Sequence, residues 1–251
     1  MSSTARVPAI MHVATPALSV VEAALAAGYD GVMIDLQHGE IGLDQACTML
    51  RAIPRGNSYA FARAAGLEPG AIGRLLDSGA RGIIAPTIET AQQAEQLVAA
   101  TKYPPLGRRS LGPSRPALYD GPDYCAAGNA MVATIVQIET AAGVEAAADI
   151  LAVDGVDAVY VGPADLAVSY GLTGRADWAD GPVADGILRV AAAAREAGVR
   201  FGLYCSDPAF AAAEIRRAEL DFVGIGIDLM FVGRQARATV AALAAALEEK
   251  S

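Results

Sequence analysis

The sequence predicts a closed (β/α)8 barrel built as a single domain over residues 1–251, and three observations predict it. Short β-branched apolar runs alternate with alanine-rich segments of helical period from one end of the chain to the other. Eight such pairs can be counted in 251 residues, a length at which one barrel closes. The strand-like runs are continuously apolar, as strands covered on both faces must be. A doubly wound open sheet is the alternative. No Gly-x-Gly-x-x-Gly follows the first strand, however, so a nucleotide cofactor there has no support.

The strands are expected at Pro8 to Val13, Gly31 to Leu36, Tyr59 to Arg63, Gly82 to Thr87, Val132 to Glu139, Ala158 to Gly162, Arg200 to Cys205 and Phe222 to Ile227. The matching helices begin near Pro16, Leu43, Gly70, Thr90, Ala141, Gly181, Pro208 and Val232. Asp207-Pro208 supplies a cap and first turn, Gly28 and Gly198 supply stops, and Thr90 caps a run containing Gln92, Gln93 and Glu95. Tyr103 to Gly128 is rich in turn formers and too long for a plain connection, so it reads as an irregular functional loop. A second long connection runs from Ala164 to Gly181, and no low-complexity linker divides the chain.

Composition narrows the function. The formal net charge is -9 and no Lys/Arg-rich run occurs, which argues against nucleic acid as a partner. No apolar run approaches the roughly 20 residues that span a bilayer, and the N-terminus lacks a basic region followed by an apolar core. A cytoplasmic protein without a membrane partner is therefore expected. Cys47, Cys125 and Cys205 have neither metal-type nor redox-type spacing and read as ordinary thiols.

Barrel enzymes carry their chemistry at the C-terminal ends of the strands. Those ends hold Asp35 and His38 after strand two, Arg63 on strand three, Gln137 and Glu139 on strand five, and Asp165 after strand six. Their convergence on one mouth is harder to produce by accident than any one motif. Glu139 and Asp165 are hard oxygen ligands on adjacent strands, a platform for Mg2+ or Mn2+, with Co2+ or Zn2+ as alternatives. Either carboxylate alone could instead cap the helix behind it. Three residues separate Asp35 from His38, so the carboxylate could orient the imidazole as an acid-base pair. Arg63 could bind a carboxylate or stabilise an enolate. His12, with no acidic neighbour in sequence, reads as a locally hydrogen-bonded histidine. The only lysines, Lys102 and Lys250, do not sit where a Schiff-base amine should project, so imine catalysis is not expected.

The segments "IDLQHG", "FAR", "LLDSGARGIIAPTIETAQQAE", "KYPPLGRRSLG", "VQIET" and "VDAVYVGPADLAVSYG" together resemble, in order and over nearly the whole chain, the HpcH/HpaI family of class II pyruvate aldolases. The resemblance implies a metal-dependent barrel that cleaves 4-hydroxy-2-oxo acids to pyruvate and an aldehyde. It implies Glu139 and Asp165 as metal ligands, His38 with Asp35 as the acid-base pair, and pyruvate held by Arg63, Gln137 and the backbone of Gly162, Pro163 and Ala164. It also implies a hexamer made as a trimer of dimers, with the C-terminal helix exchanged between subunits and Asp77 reaching a neighbour's site. Many members carry a glutamate where Gln37 stands and a glycine where Ser110 follows Arg109, differences placed near the entry of the aldehyde. Arg108, Arg109 and Arg115 could bind a second carboxylate, or form a solvated or subunit-bridging loop. A related lyase or 2-oxo acid decarboxylase could use the same residues, and a non-catalytic 2-oxo acid binding barrel is the reading from outside enzymology.

Overall fold

A computed structural model describes residues 6–54, 56, 59–112 and 114–248. In chain order the elements are β1 (Ala9–Val13), α1 (Leu18–Ala26), β2 (Gly31–Asp35), α2 (Leu43–Ala52), β3 (Ala60–Arg63), α3 (Pro69–Ser78), β4 (Gly82–Ala85) and α4 (Ala91–Thr101). There follow α5 (Ser114–Asp120), α6 (Tyr124–Met131), β5 (Ala133–Ile138), α7 (Ala141–Glu145), α8 (Ala147–Leu151), β6 (Ala158–Val161), α9 (Pro163–Ser169), α10 (Gly181–Ala197), β7 (Arg200–Cys205), α11 (Pro208–Arg217), β8 (Phe222–Ile227) and α12 (Asp228–Glu248).

The eight strands pair in parallel in sequence order, and β1 pairs with β8 to close the barrel. Alternate strand residues point to opposite faces. One set, including Val32, Ile34, Ala62, Val136, Val159 and Leu203, packs outward against the helices. The other set, including Ile10, Met33, Phe61, Ile84, Ile135, Tyr160 and Phe222, fills the barrel interior. The interior is therefore a packed core, and Asp35, Arg63 and Gln137 carry polar side chains to its end nearest the strand C-termini.

Punctuation in the sequence sets several boundaries. Asp207 accepts a hydrogen bond from the Phe210 N–H at 2.8 Å and Pro208 opens α11. Thr90 accepts from the Gln93 N–H at 3.2 Å to start α4, and Gly198, at φ 69°, ends α10. Two expectations change. The segment after Tyr103 contains α5 and α6, and α6 packs where Tyr103 and Asn129 exchange hydrogen bonds through backbone and amide groups. Within the expected connection from Ala164 to Gly181, most of α9 is helical, started by Pro163.

The base of the barrel is tied by Lys102, which is buried. Its Nζ donates to the Asn129 and Val132 carbonyls at 2.8 and 2.6 Å and to Asp157 at 2.6 Å. That amine lies at the N-terminal ends of β5 and β6, away from the mouth. At the other extreme, α12 buries only Asp228, while Leu229, Met230, Val232, Val240, Leu243 and Leu247 are exposed. No described helix is long and apolar enough to cross a membrane.

Candidate active site

Five consecutive strands, β2 to β6, deliver polar groups to the same end of the barrel. Asp35 and Arg63 are the last residues of β2 and β3 and are partners in register, so both side chains project inward beside each other. Arg63 forks onto the carboxylate, Nε donating to Oδ1 at 2.9 Å and Nη2 to Oδ2 at 2.7 Å. Asp35 Oδ1 also accepts from the backbone N–H of Gln37 and His38, at 3.0 and 3.3 Å. Burial works against the charge on Asp35, but the guanidinium and the two N–H groups outweigh it and hold the carboxyl below its ordinary range.

This corrects the Asp35–His38 reading. Asp35 meets His38 only through the backbone, and the imidazole is exposed on the loop ahead of α2. The reason is competition: a bidentate, permanently charged arginine in register takes both carboxylate oxygens. Asp35 thus shapes the loop that carries His38 and aims Arg63.

On the opposite wall Glu139 follows β5 and is 2% exposed. Its Oε1 accepts from both the N–H and the Oγ1 of Thr87, each at 2.9 Å, and its Oε2 accepts from Gln137 Nε2. Thr87 makes both bonds because its backbone is left-handed, φ 55°, an uncommon state for a β-branched residue. Burial pushes the Glu139 carboxyl up, and the charge of Asp165 adds to that, against the hydrogen bonds from Gln137 and Thr87 and the charge of Arg63. Asp165 lies in the first turn of α9 and is exposed.

A divalent cation fits these residues. A buried carboxylate that is costly to ionise, with a second carboxylate close by, gains from a positive charge placed between them. Gln137 Oε1 is a buried acceptor without a protein donor, again a feature a cation satisfies. A Cβ on Gly162 would lie 2.5 Å from Glu139 Oε2, so glycine keeps that side of the carboxylate open. Among the described residues no cluster of three or more ligand side chains occurs, so Glu139 and Asp165 would leave coordination positions to substrate and water.

The remaining sequence candidates divide by location. Gly162, Pro163 and Ala164 form the turn from β6 into α9 at the mouth. Asp77 lies at the far end, where α3 stops, and accepts from Arg109 Nη2 at 2.8 Å. Arg115 donates to the Ser78 carbonyl at 3.0 Å and stacks over Tyr119, and Arg108 is exposed. The chain therefore does not bring Asp77 or these arginines to its own mouth.

Sequence reasoning missed three contributors. Thr87 was read as a strand end, and only its backbone angle reveals its role. Tyr160 looked like one more apolar strand position, although period-two alternation places it inward and in register with Gln137. His12 is buried and shares a 2.8 Å hydrogen bond between Nε2 and Tyr160 Oη, with the Tyr204 ring 4.8 Å away. Its neighbour in the fold lies 148 residues away in sequence, which no local reading could supply.

The family model described as HpcH/HpaI aldolase/citrate lyase matches residues 9–234. The chain belongs to that family. It is 38% identical over 213 residues to a hydroxypyruvate/pyruvate aldolase of Rhizorhabdus wittichii, covering 85% of this chain and 84% of that protein. It is 40% identical over 176 residues to a 4-hydroxy-2-oxovalerate aldolase of Novosphingobium aromaticivorans, covering 68% and 67%. The crystal structure of an HpcH/HpaI aldolase/citrate lyase family protein from Burkholderia cenocepacia superposes with a TM-score of 0.83 at 34% identity, covering 94% of each chain.

Proposed function

We propose that this member of the family is a metal-dependent pyruvate aldolase that reversibly cleaves 4-hydroxy-2-oxo acids to pyruvate and an aldehyde. The observation that carries the reading is the mouth itself: a buried, charge-averse Glu139 facing Asp165, opposite an Arg63 guanidinium fixed by Asp35. The names of the two aldolases above support it. Glu139 and Asp165 would hold the ion, Mg2+ or Mn2+ by the hardness of the ligands, with Co2+ or Zn2+ as alternatives. When bound, the ion supplies Lewis acidity to the carboxylate and ketone oxygens of the 2-oxo acid.

The chain does the rest. The turn Gly162–Pro163–Ala164 and Gln137 seat the carboxylate end of the substrate. His38 accepts the proton of the C4 hydroxyl at a ring nitrogen, directly or through water, as the C3–C4 bond breaks and the aldehyde leaves. The electron pair passes to C3 and the C2 oxygen, where Arg63 opposes the growing negative charge, and protonation at C3 completes pyruvate. Asp35 acts on both groups without touching substrate.

The exposed apolar residues of α12 support an assembly in which that helix is covered by another copy, in keeping with a trimer of dimers with exchanged C-terminal helices. In such an assembly Asp77, held by Arg109, would complete a neighbour's mouth. The expected location is the cytoplasm.

Incubating the protein with pyruvate in D2O tests the reading without knowledge of the aldehyde. Metal-dependent loss of the methyl proton signal, reversed by a chelator and absent in Glu139→Ala, is expected. A folded protein that exchanges no protons under any divalent metal would leave pyruvate chemistry without support. Oxaloacetate offered beside hydroxy-oxo acids separates the decarboxylase and related lyase readings, which share the same residues. Binding without turnover on a broad aldehyde panel would favour a non-catalytic barrel.

A further inference from the structure

His12 is more than a core histidine. It lies on β1, one residue from the end of the strand, and faces the interior where β1 and β8 shift register between Ile10 and His12. Below it Ile10, Met33, Phe61 and Phe222 fill the barrel, and 5% of its surface stays exposed. Arg63, Asp35 and Asp228 are the charges that bear on it.

A packed interior would be better served there by an apolar side chain, because burying an unpaired polar ring atom costs free energy. Instead residues of two other strands accommodate the imidazole. Tyr160 crosses from β6 to meet Nε2, and Gly224 on β8 makes room. A Cβ at Gly224 would overlap Tyr160 Oη and lie 2.8 Å from His12 Nε2. Tyr160 is itself fixed by stacking on Phe222, with rings 13° apart in plane. With Nε2 engaged, Nδ1 has no protein partner among the described residues.

The chemistry of that free atom is restricted. Burial, followed by the charge of Arg63, pushes the His12 pKa down to about 3, so the ring is neutral at any working pH. A neutral ring is a poor match for a second carboxylate, and Arg63 already serves the first. A hydroxyl, which both donates and accepts, matches Nδ1 in either tautomer.

We infer that His12 determines specificity by hydrogen-bonding, through Nδ1, a neutral hydroxyl next to the reacting carbon of the substrate. The hydroxyl belongs to C3 of the 2-oxo acid, so the donor is a 3-hydroxylated 2-oxo acid, of which hydroxypyruvate is the smallest. Tyr160 is a positioning residue that fixes the ring and its tautomer. This assignment rests on the aldolase reading for its reaction and on the interior geometry for its selectivity.

Two substitutions separate a substrate contact from a structural bond. His12→Asn keeps a polar atom near the place of Nδ1, whereas His12→Gln keeps one near Nε2, where Tyr160 is. The parent is expected to prefer hydroxypyruvate to pyruvate, read as kcat/KM for C3 proton exchange in D2O. The preference, read as the ratio of the two kcat/KM values, should fall about tenfold in His12→Gln and in His12→Phe and should be largely kept in His12→Asn. Tyr160→Phe should lower the preference by less, through KM for hydroxypyruvate.

Equal use of the two donors by the parent, an unchanged preference in His12→Gln, or an equal fall for both donors in a folded variant would overturn the inference. Transfer of the preference to the aldehyde arm, glycolaldehyde over acetaldehyde with one donor, would overturn its placement on C3. Thermal shifts with hydroxypyruvate and pyruvate, each with Mg2+, give the same comparison as binding alone. Failure of the parent to exchange pyruvate protons would count against the aldolase reading, while a hydroxypyruvate-selective shift lost in His12→Gln would still uphold the His12 contact.

Discussion

Each end of the barrel holds an ion pair with at least one buried partner, and the two pairs are not alike. At the base, all three Lys102 N–H groups have acceptors, two carbonyls and Asp157, and Asp157 also accepts the Thr134 N–H at 2.7 Å. At the mouth, Arg63 and Asp35 are matched to each other, but around them Gln137 Oε1 has no donor and Glu139 is pushed toward its neutral form. A polar cluster that closes on itself specifies structure. One that leaves capacity unused is built for something else to complete it, and of the two clusters built on these ion pairs the one at the mouth does this.

The widest separation between the ends should come from Glu139→Gln. Loss of a ligand and of Lewis-acid stabilisation worth several kcal/mol should lower metal-dependent pyruvate exchange by about a thousandfold or more. Stability should hold or rise in chelator, because a carboxylate that burial disfavours is gone. Chemical denaturation with and without Mg2+ reads both: the parent should gain stability from the ion and the variant should not. Asp35→Asn comes next. It leaves a buried guanidinium without its counter-charge, at a cost of roughly 3 kcal/mol in stability and about a hundredfold in kcat/KM as Arg63 loses its aim.

Lys102→Met is the opposite case. It should destabilise by roughly 2–3 kcal/mol, less than a fully sealed pair because the Asp157 side chain is 35% exposed and can rehydrate. Activity per folded molecule should not change. If Lys102→Met lowered exchange without affecting the denaturation midpoint, the division between a structural base and a functional mouth would fail.

The barrel was legible because its signals are local: strand period, helix period and caps lie within a few residues of one another. Much of the mouth was legible for a related reason. A barrel converts position at a strand end into position in space, so Arg63, Gln137, Glu139 and Asp165 could be placed without knowing any contact. What was not legible depended on choice between partners. From sequence, Asp35 has His38 three residues away, but Arg63, 28 residues on, wins by register and fork geometry. Asp77 could be numbered but not located, because α3 carries it to the base. The helix expected from near Val232 is α12, but the sequence alone does not say which surface covers its exposed apolar residues.

His12 offers a test by pH. Its folded pKa of about 3 lies below the ordinary 6.5, so the unfolded chain binds the proton more readily. Its contribution to stability is therefore fully present above pH 6.5 and is lost as pH falls toward 3, on the order of 1 kcal/mol for each unit crossed. His12→Phe should flatten that part of the stability curve. Asp35 acts lower, its contribution present above its ordinary 3.8 and lost as pH falls below it, so the two are separable in one titration.

The smallest effect expected is at Thr87, and it bears most directly on why the mouth is left open. The residue holds a left-handed backbone angle that a β-branched side chain disfavours, and in return places two donors on one oxygen of Glu139. Thr87→Gly removes the strain and the hydroxyl while keeping the N–H bond. Relief of about 1 kcal/mol of strain and loss of about 1 kcal/mol of hydrogen bond should leave stability nearly unchanged. Metal affinity should still fall, by about tenfold, because an oxygen no longer pinned spends less time aimed at the ion. Calorimetric titration of Mn2+ measures this without turnover. Unchanged affinity would mean that Gln137 and the backbone suffice to orient Glu139, and that the strain at Thr87 belongs to the turn after β4 rather than to the site.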